Sequence, residues 1–414
     1  MIRGDYDGAI RDLDTILGVD SPDALPDQWG HDRPLAVLER GSLLQAVESF
    51  RASARSLSAG EDQVELLDLK LDALGQIGKY VYSGSAHAYE MPPTEQLALN
   101  AVNMLNYLAL GDLQAAAVEA RRFTVMREYL ESLGLPHQAS FGSYLAGLTF
   151  EKLGEGDRAL RYYEEAMHAG PLASLRDPVA RLAAANPYRG PEIRSLLAGA
   201  GSAGPGLRPS EIVTVLCLGR VPYKVPERIP IGLAIGLAGS WITGNPNLLA
   251  RSAFKVVVYP ELVSAERQPR RASVEIGQQV VPVELLSNLG ADIRREYEEM
   301  KPRIIGAALS RMIARAVVAE GARTAGRQAG GSTGQLLGLL SSFAVEGTLV
   351  GLDKPDTRSW TLLANRVWLT RTVVEPGLHN VRVRVQGPGF TGVRTQQVVV
   401  PEGGVVVVAI TEPR

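Results

Sequence analysis

The sequence predicts an α+β, multidomain protein: an N-terminal α-solenoid of paired helices, then a mixed α/β module, then a small C-terminal β-domain. Three observations carry this. Residues 94–171 repeat one helix–turn–helix design. Residues 199–206 read GAGSAGPG, too rich in glycine to hold a regular element. Beyond them, the hydrophobic pattern changes from helical spacing to short apolar or alternating runs. The expected division is therefore 1–198 helical, 199–208 linker, 209–350 mixed strand and helix with a long helical hairpin, and 351–414 a small β-sandwich-like domain.

The repeat is clearest in its second unit. Residues 140–153 carry Tyr144, Leu145, Leu148 and Phe150, and Gly154-Glu155-Gly156-Asp157 breaks the helix. The next helix places Ala159, Tyr163 and Ala166 on one side, the two alanines leaving room for a neighbouring backbone. The preceding unit repeats the design with Leu105, Tyr107 and Leu108, then Gly111-Asp112-Leu113, then Ala116 and Ala120. Recurrence at about 34 residues with a glycine turn and small residues at the crossing is a repeat signature. These residues resemble a tetratricopeptide repeat (TPR), although Gly156 stands where that family usually has an aromatic. A plain helical bundle needs the same small residues and turn, and remains the alternative.

Composition narrows the function classes. A chain of 414 residues is too long for one core of usual size. Its 45% hydrophobic and 21% charged content is that of a soluble globular protein. A net charge of -2 gives no electrostatic reason to expect nucleic acid or an anionic membrane as partner. The single cysteine, Cys217, lies in the apolar run 212–218 and reads as a buried strand residue without a disulfide. No secretory signal opens the sequence. Instead Gly4 to Ala9, with Leu13 and Ile16 and a stop at Pro22, reads as the second half of a repeat lacking its first helix. A lone half-repeat cannot bury its apolar face, so the natural chain is expected to begin upstream of Met1, with an export signal there.

In chain order, residues 23–33 form a loop with Pro26, Trp29 and His31, after which Leu35, Leu38, Leu43, Leu44, Val47 and Phe50 share one helical stripe. Residues 62–82 continue helical through Leu66, Leu69, Leu71, Leu74 and Ile77, 83–93 make an excursion, and 176–185 with 191–197 form a closing pair. Strands are expected at 212–218, 255–259, 272–276 and 280–283. Between the first two, 220–249 is broken by Pro222, Pro226, Pro230 and Pro246. Its apolar run 229–242 falls short of the ~20 residues of a membrane span and is expected to be buried in a core or interface. Gly232 and Gly236 within it have small-xxx-small spacing. Residues 285–327 are the longest helix, kinked or interrupted at Pro302. Its basic residues Arg311, Arg315 and Arg323 lack the aromatic partners of a base-stacking surface and read as a solvated face. Gly330-Gly331-Ser332 leads to another apolar helix at 335–345, which closes a hairpin. Strands at 366–373, 381–385, 397–400 and 405–410, with Pro-Gly and Gly-Gly turns, make the last unit.

The run Asp353 to Leu363, including Arg358, Ser359 and Trp360, with Val367, Leu369 and Pro376 to Val381, resembles the C-terminal signature of a poorly characterised group of bacterial envelope lipoproteins containing TPRs. Leu38-Glu39-Arg40-Gly41 and the stretch from Tyr107 to Arg122 are similar to other segments of that group. The resemblance implies export, anchoring of a precursor through a lipidated cysteine, a periplasmic or outer-membrane-associated location, and assembly with other envelope proteins. It brings no catalytic residues, and this sequence shows neither signal nor lipidation cysteine, so membrane association requires an anchor outside this chain.

Chemistry is sparse. No two of His31, His87, His137, His168 and His379 have ligand spacing, the glycine runs lack a phosphate-loop ending, and Glu296, Glu298 and Glu299 read as a solvated, ion-paired face. No enzyme, cofactor or metal site is expected. The expected function is a non-enzymatic scaffold of the bacterial envelope whose repeat groove receives a peptide or helix of a partner through Asn103, Asn106, Arg121 and Tyr144. The asparagines are singled out as polar residues one turn apart in an apolar helix, although bridging neighbouring helices explains them equally. The alternative is a self-assembling structural subunit of a ring or pore-associated complex, in contact through 229–242 or 304–345. A hydrolase requires titratable groups gathered around His31 or His379.

Overall fold

The computed structural model describes residues 4–30, 32–66, 89–132, 139–198, 208–242, 246–247, 256–265, 270–328, 355–387 and 389–414. The expected helical stretch 67–82, the linker residues 199–207 and the helix 335–345 lie outside the described residues. Within them the protein is a mixed α/β fold of 11 helices and several sheets, about 51% helical.

Nine helices come first: α1 (Tyr6–Leu17), α2 (Arg33–Ala46), α3 (Phe50–Glu61), α4 (Pro93–Ala109), α5 (Leu113–Ser132), α6 (Ser140–Lys152), α7 (Gly156–Ala166), α8 (Arg176–Ala185) and α9 (Pro191–Ala198). The turn after α4 and the turn after α6 are built alike. Asp112 N–H bonds to Tyr107 C=O, and Glu155 N–H to Phe150 C=O, each across a glycine of positive φ, Gly111 at 74° and Gly154 at 84°. The same bond closes α1, where Val19 N–H reaches Asp14 C=O, and α2, where Ser49 N–H reaches Leu44 C=O. After α2 the left-handed position is taken by Glu48, φ 63°, so no glycine announces the break between α2 and α3.

The apolar face of α1 is buried within this chain. Tyr6 and Ile10 pack with Leu43, Leu44, Ala46, Ala52 and Leu362, and the Tyr6 hydroxyl bonds to Glu412 at the far end of the sequence. The premise that a lone half-repeat leaves its face exposed therefore fails. A second correction falls at Glu65–Leu66, expected helical, which is a short strand, β1, paired in parallel with β2 (Glu90–Met91).

Two four-stranded sheets follow. One has the order β12 (Val405–Glu412), β3 (Glu211–Leu218), β9 (Arg366–Val373), β8 (Glu284–Ser287), with β12 and β3 parallel. The other runs β11 (Phe390–Val400), β10 (Gly377–Gly387), β6 (Arg271–Ile276), β7 (Gln279–Val281). Each sheet thus takes strands from both sides of residue 350. The four closing strands split two and two between the sheets, and the sandwich is completed by strands far earlier in the sequence. All eight residues of β3 are buried, which explains its continuous apolar run. Ile212, Leu216 and Leu218 face Val274, Val381, Val383 and Val385 of the second sheet. Val213, Val215 and Cys217 face the other way, joining one continuous core with Leu105, Leu145, Phe150 and Tyr163 of the helices.

A third, smaller core holds β4 (Tyr223–Pro230), α10 (Ile231–Ala238) and β5 (Val256–Val263) against α11 (Leu289–Gln328), through Ile229, Ala234, Val257, Ile305, Leu309 and Met312. Residues 223–230 are a strand despite Pro226 and Pro230. In the register Pro226 faces Pro260 on a two-stranded ribbon, where each strand has a free edge of the kind that tolerates proline. Helix α11 runs through Pro302 without interruption.

Candidate functional site

The best-defined polar surface feature lies where α3, α4 and α5 meet. Helix α3 reads FRASARSLSAGE, and its serines and alanines let α4 come close while supplying hydroxyls to its amides. Along α4, Gln96, Asn100 and Asn103 recur at offsets of four and three and so share one face. Gln96 Nε2 and Asn100 Nδ2 both donate to Glu61, at 3.1 and 2.8 Å. Asn103 Nδ2 donates to Ser58 Oγ at 3.0 Å and Asn106 Nδ2 to Ser53 Oγ at 2.9 Å. Gln45 of α2 donates to Asn106 Oδ1 at 2.8 Å and accepts from Thr411 of β12 at 2.8 Å, tying the seam to the first sheet.

This placement corrects the expected groove residues. Asn103, Asn106 and Tyr144 are all fully buried, so a partner docked on the surface does not meet them. The asparagines are polar because their amides zip three helices together. Tyr144 packs on Tyr163, ring centres 5.8 Å apart, in the α6–α7 core. Of the four, only Arg121 is exposed.

At the open end of the seam stands the neighbouring Arg122. Its Nη1 lies 3.3 Å from Glu61 and 3.4 Å from Glu119, one cation spanning two carboxylates, with its side chain 48% exposed. Glu119 is 3% exposed, and burial pushes its carboxyl up to about 7, against the pull of Arg122 and with a further push from Glu61. Burial raises Glu61 as well. Among the described residues, Glu119 Oε2 and Asn103 Oδ1 are buried acceptors without a hydrogen-bond partner. Further along α4, Tyr107 lines an open depression of about 530 Å³ together with Arg51, Leu110, Asp112, Gln114 and Leu153. An acidic pair, an amide row and a shallow basin thus follow one another along one helix. The i,i+3 spacing of Glu119 and Arg122 is visible in the sequence, but Glu61 joins them only through the fold.

Three further polar clusters lie between elements. Arg371 of β9, 2% exposed, lies between Glu151 of α6 and Glu211 of β3, with Lys152 and Arg181 also on Glu211. Glu296, expected in a solvated face, instead accepts from Thr94 N–H and Thr94 Oγ1 at 3.0 and 2.5 Å, capping the start of α4 from α11. Glu39 accepts from Thr361 N–H, Thr361 Oγ1 and Leu362 N–H at 2.7, 2.8 and 2.9 Å, while Trp360 Nε1 donates to Ser42 at 2.9 Å. The segments 38–41 and 353–363, both singled out in the sequence, therefore meet.

Burial pushes the Cys217 thiol up to about 12, so it is no nucleophile at neutral pH. His379 is held by the Glu375 carbonyl at 2.7 Å, and His31 lies outside the described residues. Among the described residues no group of three or more His, Cys, Asp or Glu is placed to hold a metal ion, and no helix is long and apolar enough to cross a membrane. No protein-family model matches this chain, and comparisons with curated proteins and with solved structures return no match.

Proposed function

We propose that this protein is a non-enzymatic scaffold whose helical half receives an extended or helical segment of a partner protein. The carrying observation is the track along α4, where the Glu61–Glu119–Arg122 mouth and the basin beside Tyr107 lie on one face of stacked helix pairs. A row of helix pairs presenting one continuous surface is what a tetratricopeptide solenoid uses to hold peptides. The recurring C-terminal turns of α2, α4 and α6 support reading residues 1–198 as such a solenoid, with the sheets as a docking half. The resemblance of 38–41, 107–122 and 353–381 to envelope lipoproteins supports a place in the bacterial envelope, periplasmic or associated with the outer membrane, among other envelope proteins.

The test is selection from a displayed random peptide library. Specific peptides are expected to enrich, and Arg51→Glu, on the exposed rim of the basin, to weaken them at least tenfold at unchanged melting temperature. Failure to enrich any peptide, or binding indifferent to Arg51→Glu, refutes the reading.

One observation favours self-assembly as a second reading. Leu233 and Leu237 are exposed on α10, with open space beside Gly232 and Gly236. On this reading the face joins copies of the chain. Light scattering is then expected to show an oligomer that Leu233→Glu dissociates; a monodisperse monomer at micromolar concentration excludes it.

A further inference from the structure

We propose that the mouth formed by Glu61 and Glu119 is a receptor for one basic side chain, lysine or arginine, of the partner segment, and that Arg122 is its built-in placeholder. The inference rests on the peptide-binding reading above and adds the chemistry of what is bound.

The mouth is short of positive charge. Two carboxylates share a single guanidinium nitrogen, and neither contact is shorter than 3.3 Å, longer than the ~2.7–2.9 Å of a strong charged hydrogen bond. Its acceptors are in excess too. Glu61 takes two amide donors and the edge of Arg122, but Glu119 Oε2, on a side chain more than nine-tenths buried, has no hydrogen-bond donor among the described residues. A buried acceptor without a donor is costly, and one on a carboxylate beside a second carboxylate calls for a cation that brings several N–H groups. An ammonium brings three and a guanidinium five, whereas a neutral or acidic side chain offers too few or adds repulsion. Arg122, with 48% of its side chain exposed, is placed to swing outward. The basin beyond Tyr107 then takes the backbone that carries the incoming residue. The push of burial on Glu119 marks the desolvated charge that such a cation neutralises.

The placeholder makes an unusual demand on the data. Removing a cation from an acidic site that merely holds the fold together loosens it; removing a competitor tightens the ligand. The experiment uses fluorescein-labelled peptides selected from the random library, measured by anisotropy against the full chain. The expected result is one lysine or arginine shared by the selected peptides, whose replacement by norleucine weakens binding at least tenfold. Arg122→Ala is expected to tighten the parent peptide about threefold or more and Glu119→Gln to weaken it at least tenfold, with Glu61→Gln, partly exposed, as a second variant should Glu119→Gln fail to fold. Selected peptides without a shared basic residue, equal binding of the norleucine peptide, or unchanged or weaker binding to Arg122→Ala overturns the inference while leaving the scaffold reading in place. A library that yields no peptide defeats both.

Discussion

Arg371 and Glu151 meet fork to fork, with Nη1 at 3.0 Å from Oε2 and Nη2 at 2.7 Å from Oε1, across the boundary between helix α6 and strand β9. The same guanidinium makes a second two-point contact with Glu211 of β3, at 3.1 and 2.7 Å. Burial alone raises a carboxyl, yet Arg371 and Lys152 more than cancel it and hold Glu151 down at about 2. Two buried carboxylates therefore share one planar cation that presents donors on both edges, with Lys152 bridging them as well. Arg371→Ala leaves the pair to Lys152 and, at Glu211, to Arg181, and urea unfolding is expected to show a loss of about 3–5 kcal/mol. Arg371→Lys keeps the charge but loses the fork, and is expected to recover less than half of that. A loss under about 1 kcal/mol for the alanine variant would mean the helical and sheet halves are not joined through this residue.

Asn103 and Asn106 give the second prediction. Each amide donates to a serine hydroxyl across the α3–α4 seam, at 3.0 and 2.9 Å, and Asn106 also accepts from Gln45. Truncation strands buried polar atoms, so Asn103→Ala and Asn106→Ala are each expected to cost about 1–3 kcal/mol in chemical denaturation. Arg121→Ala, on the exposed side of α5, is expected to stay within about 0.5 kcal/mol. Equal, small effects at all three positions would place the asparagines outside the seam.

How far the sequence disclosed this fold depended on whether the deciding contact was local. Period and glycine placed α4 through α7, because Gly111 and Gly154 sit in the left-handed turns they forecast. The α2–α3 break stayed hidden because Glu48 fills the same slot without a glycine's freedom. Strand β4 was obscured by Pro226, whose tolerance depends on Pro260 opposite it. Sheet membership was invisible, since β12 lies beside β3 through hydrogen bonds spanning almost two hundred residues. At the candidate site, polarity inside an apolar helix picked out Asn103 correctly as unusual, but burial reversed its role. Arg122, next to the exposed Arg121, stands out only when Glu61 is brought to it from α3.

The meeting of residues 38–42 with 360–362 yields the third prediction. Trp360 is fully buried with its indole N–H on Ser42, and the two following backbone N–H groups are taken by Glu39. Trp360→Ala is expected to cost about 3–5 kcal/mol as a cavity opens beneath α2. Glu39→Ala is expected to act more narrowly. In hydrogen exchange the amides of Thr361 and Leu362 should lose protection while those of β9 keep theirs. Unchanged exchange at both amides would show that Glu39 does not hold this turn.

The fourth prediction concerns pH. Burial pushes Glu39, Glu119 and Glu296 each from 4.5 up to about 7, and the pull of Arg122 on Glu119 and of Lys224 on Glu296 does not offset it. A carboxyl with a raised folded value binds its proton more readily in the folded state than in the unfolded one, so between about pH 4.5 and 7 the folded state holds more protons. Its stabilising contribution is complete below pH 4.5 and is lost as pH rises through about 7. Glu151 has the opposite sign: held at about 2, it contributes above pH 4.5 and its contribution is lost as pH falls toward 2. The two trends leave a maximum of stability near pH 5, with a fall of on the order of 1–3 kcal/mol for each raised group by pH 8. Thermal melts from pH 3 to 9 are expected to peak there, and Glu119→Gln, which cannot ionise, is expected to flatten the alkaline side. A stability that climbs steadily from pH 5 to 8 would mean that burial does not raise these three carboxyls.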